Sequence, residues 1–284
     1  MTCTPNTVFD KVFLINLQRD RVKYQQSIDT LRRFNMEAER FDAVNGKECQ
    51  NPSRCLTDPE YGLLLSVVKI LERATCNNYR SILILEDDFI VHHDFQRMFA
   101  SCHRRLSKNW KIWWLGASDW RPFKSDLYHP YTTTLGGFAV AVSRDAFEPI
   151  MSKALTLTRP IDWCYNCVGQ TFRKDCFVSY PNLMIANTSQ SSLRRAEGSP
   201  DVYYKTVMAN DWKLEDYYIS DQMRAYSDID SFLNFTPTRW RAAVKRTRYR
   251  IVACGLCVLA WSPLVTLDPY LRMLHNSCSR RRNS

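Results

Sequence analysis

Short apolar runs along the chain alternate with amphipathic stretches, and the run at residues 81–91 (SILILEDDFIV) organises the rest. Four aliphatic positions, 82–85, lead into three consecutive carboxylates, Glu86, Asp87 and Asp88, and the apolar pattern resumes at Phe89. A brief, unbroken apolar run of this kind predicts a buried strand, central in a parallel sheet. Upstream, residues 12–17 (VFLINL) predict a first strand with Asn16 at its carboxyl end. Residues 20–34 predict a helix capped by Asp20, with Val22, Ile28, Leu31 and Phe34 on its buried face. Residues 38–44 (AERFDAV) predict a second strand, closed by the turn residues Asn45 and Gly46. Strand, helix, strand is a βαβ unit.

The helix predicted over residues 60–74 is apolar around much of its girth and is expected to be well buried. Beyond the acids, residues 94–106 form an amphipathic pattern with Phe95, Met98, Phe99 and Cys102 inward. A strand follows at 111–116, and another at 135–142, entered through Gly136 and Gly137. A helix capped by Ser143 runs to Leu155. Residues 126–134 read as loop, 159–173 as a mixed segment, and 176–185 as a late strand or ribbon interrupted by Pro181. Residues 200–236, rich in Tyr and Asp, read as a helix or as a cover over the site.

Three carboxylates at the end of a buried strand are costly unless a cation offsets them, and a divalent ion is the usual one. A strand period of two places Glu86 and Asp88 on one face and Asp87 on the other, so Glu86 and Asp88 can reach one ion together. Open α/β sheets bind ligands beyond the carboxyl ends of their strands, where these acids and Asn16 fall. An acidic surface turn is the alternative reading of the same letters. His129 and His275 are further possible ligands, and either can equally be incidental.

Charge separates the chain into two parts. Of the formal net charge of +10, +9 lies beyond Thr238, where ten basic residues face the single acid Asp268. The remaining body is close to neutral, which argues against a duplex-binding surface and against nucleic acid as a partner. Residues 239–250 place Trp240, Ala243, Val244 and Thr247 on one face of a basic amphipathic helix, and 251–267 carry no charge. Such a tail suits an anionic membrane surface, a buried terminal helix or, less well, a span, since a span needs about 20 apolar residues. The expected division is therefore a catalytic domain over 1–237 and a basic, apolar tail over 238–284. Eleven cysteines, an odd number, with no apolar leader near Met1, point to free thiols in a reducing, cytoplasmic setting with peripheral membrane attachment. Zinc held by the pairs Cys164/Cys167 and Cys254/Cys257 is disfavoured by the apolar run around the second pair.

Taken in order, these blocks resemble glycosyltransferase family 25, which includes bacterial lipooligosaccharide galactosyltransferases, collagen galactosyltransferases and homologues in large DNA viruses. The strand ending Ile15-Asn16-Leu17 with Arg19 and Arg21 behind it looks like the family's opening block. Ala43-Val44-Asn45-Gly46 is similar to its Ala-Val-Asp-Gly, with Asn45 in place of Asp. Leu85-Glu86-Asp87-Asp88 matches its Leu-Glu-Asp-Asp. The glycine-entered strand running into a Ser143-Arg144 helix, and Pro160-Ile161-Asp162, resemble its later blocks. One departure is the helix at Gly62 to Val67, where the family's Ser-His reads Ser66-Val67.

The resemblance implies an α/β, GT-A-like (Rossmann-related) mixed sheet flanked by helices. It also implies metal-assisted transfer of a hexose or pentose from a nucleotide sugar, a UDP-sugar first, to a hydroxyl of a glycan or glycoconjugate. Mn²⁺ or Mg²⁺ would be held by Glu86 and Asp88 and would stabilise the diphosphate leaving group. Asp87 would orient the donor sugar or ribose, and Asn16 and Arg21 would meet the nucleotide. The base for the acceptor hydroxyl would be Asp162, or else Asp119. Two other functions fit the acids less well. A metal-dependent phosphohydrolase or nuclease would want more acids or His at other strand ends. An inactive, membrane-associated scaffold would not need Glu86, Asp87 and Asp88 intact.

Overall fold

The structure is a computed structural model and describes residues 3–118, 125–187 and 212–219. Its elements in chain order are α1 (Pro5–Val8), β1 (Lys11–Asn16), α2 (Arg21–Arg33), β2 (Glu39–Asp42), α3 (Asp58–Cys76), β3 (Ser81–Glu86), β4 (Phe89–Val91), α4 (Phe95–Arg105), β5 (Ile112–Trp114), β6 (Leu127–Tyr128), β7 (Ala139–Ser143), α5 (Arg144–Ala154), α6 (Ile161–Thr171), β8 (Cys176–Ser179) and β9 (Met184–Ala186). Seven strands form one mixed sheet in the order β2-β1-β3-β7-β5-β8-β6. β4 and β9 make a separate antiparallel ribbon.

β3 sits inside the sheet, but only one of its neighbours is parallel. It pairs in parallel with β1, bringing Ile15 opposite Glu86, and antiparallel with β7, bringing Leu85 opposite Ala139. The aliphatic run is blind to this difference, because a strand buried on both faces needs the same side chains whichever way its neighbours run. The result is the GT-A-like α/β arrangement expected from the resemblance: a mixed sheet between two helical layers.

The strand period assigns every inward side chain to one of two cores. Phe13 and Ile15 of β1 and Ile82 and Ile84 of β3 pack with α3, α5 and α6. Val12 and Leu14 of β1 and Leu83 and Leu85 of β3 pack with α2, α4 and the β4–β9 ribbon. Trp113 and Trp114 of β5, both fully buried, fall one in each core. Burying side chains of this size on both faces supplies the main drive for closing the layers.

Local chemistry sets the helix ends, with three departures from the expected pattern. α3 begins at Asp58, ahead of residue 60, because the Thr57 N–H donates to the Glu60 carboxylate and Pro59 fits a first turn. Asp20 and Ser143 stand at N-cap positions without capping hydrogen bonds from their side chains. Val22 is exposed at 72%, and the inward face of α2 runs through Tyr24, Ser27 and Leu31. Ser27 reads as polar in sequence, yet its hydroxyl is satisfied at Lys23 O and Asp87 O and so it can be buried.

The mixed segment after residue 159 is a helix, α6, despite a composition of Asn, Gly, Thr, Cys and aromatics that propensity disfavours. Ile161, Cys164, Tyr165 and Val168 recur at helical spacing and all are buried against the sheet, so packing overrides propensity. The segment expected to be a loop at 126–134 contributes the edge strand β6. The ribbon over 176–185 divides into β8 and β9 around a cis Tyr180–Pro181 bond. Residues 212–219 run along the ribbon, with Trp212 against Phe138 and the Tyr217 hydroxyl donating to Asn182 O. The eight cysteines among the described residues are all free. Among the described residues no helix is long and apolar enough to cross a membrane, and the predicted tail from 238 lies outside them.

Candidate active site

The carboxyl ends of β1 and β3 stop side by side, and a cleft opens above them. It is lined by Asn16, Arg19, Asp20 and Lys23 from the first βα turn, by residues 43–47 from the loop after β2, by Pro59 and Leu63 of α3, and by Glu86, Asp87 and Asp88. The loop after β2 lies flush on α3 because two glycines meet there. A Cβ on Gly62 would stand 2.5 Å from Val44 O and 2.7 Å from Gly46 N, both backbone atoms that cannot give way. Val44 N–H also donates to Ser66 Oγ at 2.8 Å, tying the cleft floor to the helix in which Ser66-Val67 stands in place of the family's Ser-His.

Asn16 is the hub of the α2 side of the cleft. It is 1% exposed. Its amide donates to Asp87 Oδ2 at 2.7 Å and to Asp20 O at 3.1 Å, and its carbonyl accepts from Arg40 at 2.8 Å. Lys23 Nζ lies 3.7 Å from Asp87 Oδ1, and Arg40 stacks on the Tyr24 ring. Burial pushes the Asp87 carboxyl above its ordinary range, while Lys23 and the Asn16 hydrogen bond pull it back. Asp87 is therefore engaged in joining β3 to β1 and α2.

Glu86 takes the opposite face, as the strand period requires. It continues the Ile82, Ile84 row toward α6, and its backbone N–H donates to Phe138 O at 3.1 Å. A Cβ on Gly137 would stand 2.9 Å from Glu86 Oε1, so the carboxylate occupies the space that glycine leaves open. The same point lies 3.8 Å from Ile161 and 3.9 Å from the Tyr165 ring of α6. Tyr165 is fully buried, and its hydroxyl has no hydrogen-bond partner among the described residues. Burial first, then the charges of Glu86, Cys164 and Asp162, hold this phenol well above its ordinary pKa, so it stays protonated.

Asp88 lies beyond the strand, in the tight turn between β3 and β4, and its carbonyl accepts from Asn187 N–H. Asp162 sits in the first turn of α6, where its Oδ1 accepts from Trp163 N–H at 2.8 Å. The structure thus brings Glu86, Asp87, Asp88 and Asn16 to one cleft; Asp162 is not among the residues that line it, and its charge, like that of Glu86, acts on Tyr165. Arg21 is exposed on α2 and does not line the cleft. It points away because the helix turns it about 100° per residue from its neighbours (3.6 residues per turn), and Arg19, Lys23 and Lys47 supply the cations instead. Asp119 and His275 lie outside the described residues. His129 bonds Cys176 O and packs on Phe177, at β8 and away from the acids.

The sequence named Arg19 and Gly137 only as parts of family blocks, without a role at the site, and Lys23, Lys47 and Tyr165 were not singled out at all. Lys23 was within reach of it: it stands three residues after Asp20, and a helix following a strand end presents its first turn to that end. Tyr165 carried no such signal, since its helix was not legible.

A model of the family described as glycosyltransferase family 25 (LPS biosynthesis protein) matches residues 9–159, a little over half of the chain. Over 129 residues the chain is 25% identical to procollagen galactosyltransferase 2 of Mus musculus, covering 38% of this chain and 21% of that protein. The chain thus spans about a fifth of the length of that curated relative. Among solved structures it is similar to a glycosyltransferase involved in the glycosylation of the major capsid of PBCV-1, at a TM-score of 0.42 and 13% identity, covering 66% of this chain and 97% of that one. It is also similar to a mannose-1-phosphate geranyltransferase from Thermus thermophilus, at a TM-score of 0.29 and 11% identity, covering 59% and 58%. With the Leu85-Glu86-Asp87-Asp88 strand end, the Gly136-Gly137 strand and the match across both, the chain belongs to glycosyltransferase family 25.

Proposed function

We propose that this protein moves a sugar from a nucleotide-sugar donor, a UDP-sugar first, to a hydroxyl of a glycan or glycoconjugate, assisted by a divalent cation. The observation that carries the reading is the lining of one cleft at the carboxyl edge of the sheet. Three acids of the β3 end and three cations, Arg19, Lys23 and Lys47, line it together. A magnesium-like ion is commonly held by one or two carboxylates plus substrate phosphates. The donor set suits such an ion: Glu86 and Asp88 bring hard carboxylate oxygens to the cleft lining. When bound, the ion supplies Lewis-acid stabilisation of the departing diphosphate.

The chain's own residues do the rest. Arg19, Lys23 and Lys47 draw the diphosphate into the cleft and offset its charge. The flat floor of residues 43–46 carries the nucleoside. Asp162, at the start of α6, takes the proton of the acceptor hydroxyl, with Asp119 as the second candidate. The basic and apolar residues 239–284 attach the enzyme to an anionic membrane surface.

A donor screen tests this reading: release of nucleoside diphosphate from a panel of nucleotide sugars, with Mn²⁺ and with chelator. Metal-dependent release from one donor is expected. A protein that neither releases nucleotide nor is stabilised against unfolding by any nucleoside diphosphate with Mn²⁺ would refute it.

A further inference from the structure

We propose that Tyr165 is a positioning residue, whose hydroxyl donates a hydrogen bond to the Glu86 carboxylate once donor nucleotide and cation are bound. This rests on the reading of the cleft given above.

Three observations point the same way. First, both groups border the space that Gly137 leaves open: one point there lies 2.9 Å from Glu86 Oε1 and 3.9 Å from Tyr165 Cε2. Cε2 is bonded to the carbon that bears the hydroxyl, so the hydroxyl is carried at the end of the ring edge that borders this gap. Second, the hydroxyl is buried with no hydrogen-bond partner among the described residues. A buried polar group without a partner costs free energy, and phenylalanine would fill the same space without that cost. Third, the charges that reach it are acidic, Glu86 before Asp162, so its surroundings offer acceptors to an O–H donor.

A carboxylate that must hold one orientation toward a cation benefits from a fixed donor behind it. In the free protein Glu86 lies over Gly137 and the phenol waits. On loading, the Glu86 side chain turns to accept this bond. Asn16 does the same for Asp87 on the other face, already in the free protein.

The test uses the full chain and calorimetric binding of uridine, guanosine and cytidine diphosphates, each with Mn²⁺, together with melting temperatures of the free proteins. Tyr165→Phe is expected to melt no lower than wild type and to bind about tenfold more weakly, the loss of one hydrogen bond to a charged group. Glu86→Gln/Tyr165→Phe is expected to bind no more weakly than Glu86→Gln alone. Unchanged binding by Tyr165→Phe would overturn the proposal, and so would an equal loss in the Glu86→Gln background. A lower melting temperature would overturn it too, since the hydroxyl would then be partnered in the free protein. A wild type that binds none of the three diphosphates would overturn the reading of the cleft itself, and this proposal with it.

Discussion

The amide of Asn16 donates to Asp87 Oδ2 at 2.7 Å, joining the last residue of β1 to the first residue beyond β3. Because the two strands are parallel neighbours, both ends open on the same edge of the sheet. The bond ties the two strand ends together at the cleft lining. It also explains why three adjacent acids need not repel one another into disorder: the middle one is turned away and held by Asn16 and Lys23.

Asn16→Ala should therefore lower stability by about 1.5–3 kcal/mol, the range for a hydrogen bond to a charged group, because Asp87 stays buried with one partner fewer. Urea unfolding measures this directly. A change under about 0.5 kcal/mol, the size typical of surface substitutions, would show that water replaces the amide freely.

Gly137→Ala should separate stability from activity. The added methyl meets Glu86 Oε1, the mobile end of a side chain, so the fold can yield at a cost of about 1 kcal/mol, the low end for an added carbon. The carboxylate must move aside, and sugar transfer should fall about 100-fold, as expected for a misplaced catalytic constellation. An unfolded variant, or one with full activity, would contradict the packing of Glu86 over this glycine.

Asp88→Ala should abolish metal-dependent nucleotide binding while leaving a folded protein, since Asp88 lies in a turn and its carbonyl bond to Asn187 is kept. Circular dichroism and nucleotide titration with Mn²⁺ check both halves. Wild-type binding in this variant would remove Asp88 from the cation site.

His92 should make stability pH-dependent. Its Nδ1 accepts from Asp94 N–H at 2.9 Å, a bond that protonation breaks, and burial lowers its pKa from the ordinary 6.5. Below 6.5 the unfolded chain binds the proton more readily than the folded one. Stability is thus full above 6.5 and declines as pH falls through the folded value. Melting temperatures between pH 7.5 and 5 should show this decline in wild type and less of it in His92→Gln. Parallel curves would assign the slope to other groups.

Much of this protein is legible in its letters. The apolar runs at β1 and β3, the period of α4 and the acids that end β3 follow from side-chain alternation and burial, which are local properties of the chain. The alternation also predicted that Glu86 and Asp87 would face opposite ways, and they do, toward α6 and α2. What the letters could not say is what each would meet. The antiparallel partner β7, the approach of Gly62 to Gly46, the burial of Ser27 and the helix that carries Tyr165 are contacts between segments far apart in sequence. Propensity argued against that helix, and only its fit to the sheet decided it. The cleft's cations came from Arg19, Lys23 and Lys47 for the same reason: which face of a helix or loop looks into a cleft is set by how the layers pack, and packing is a property of the whole fold.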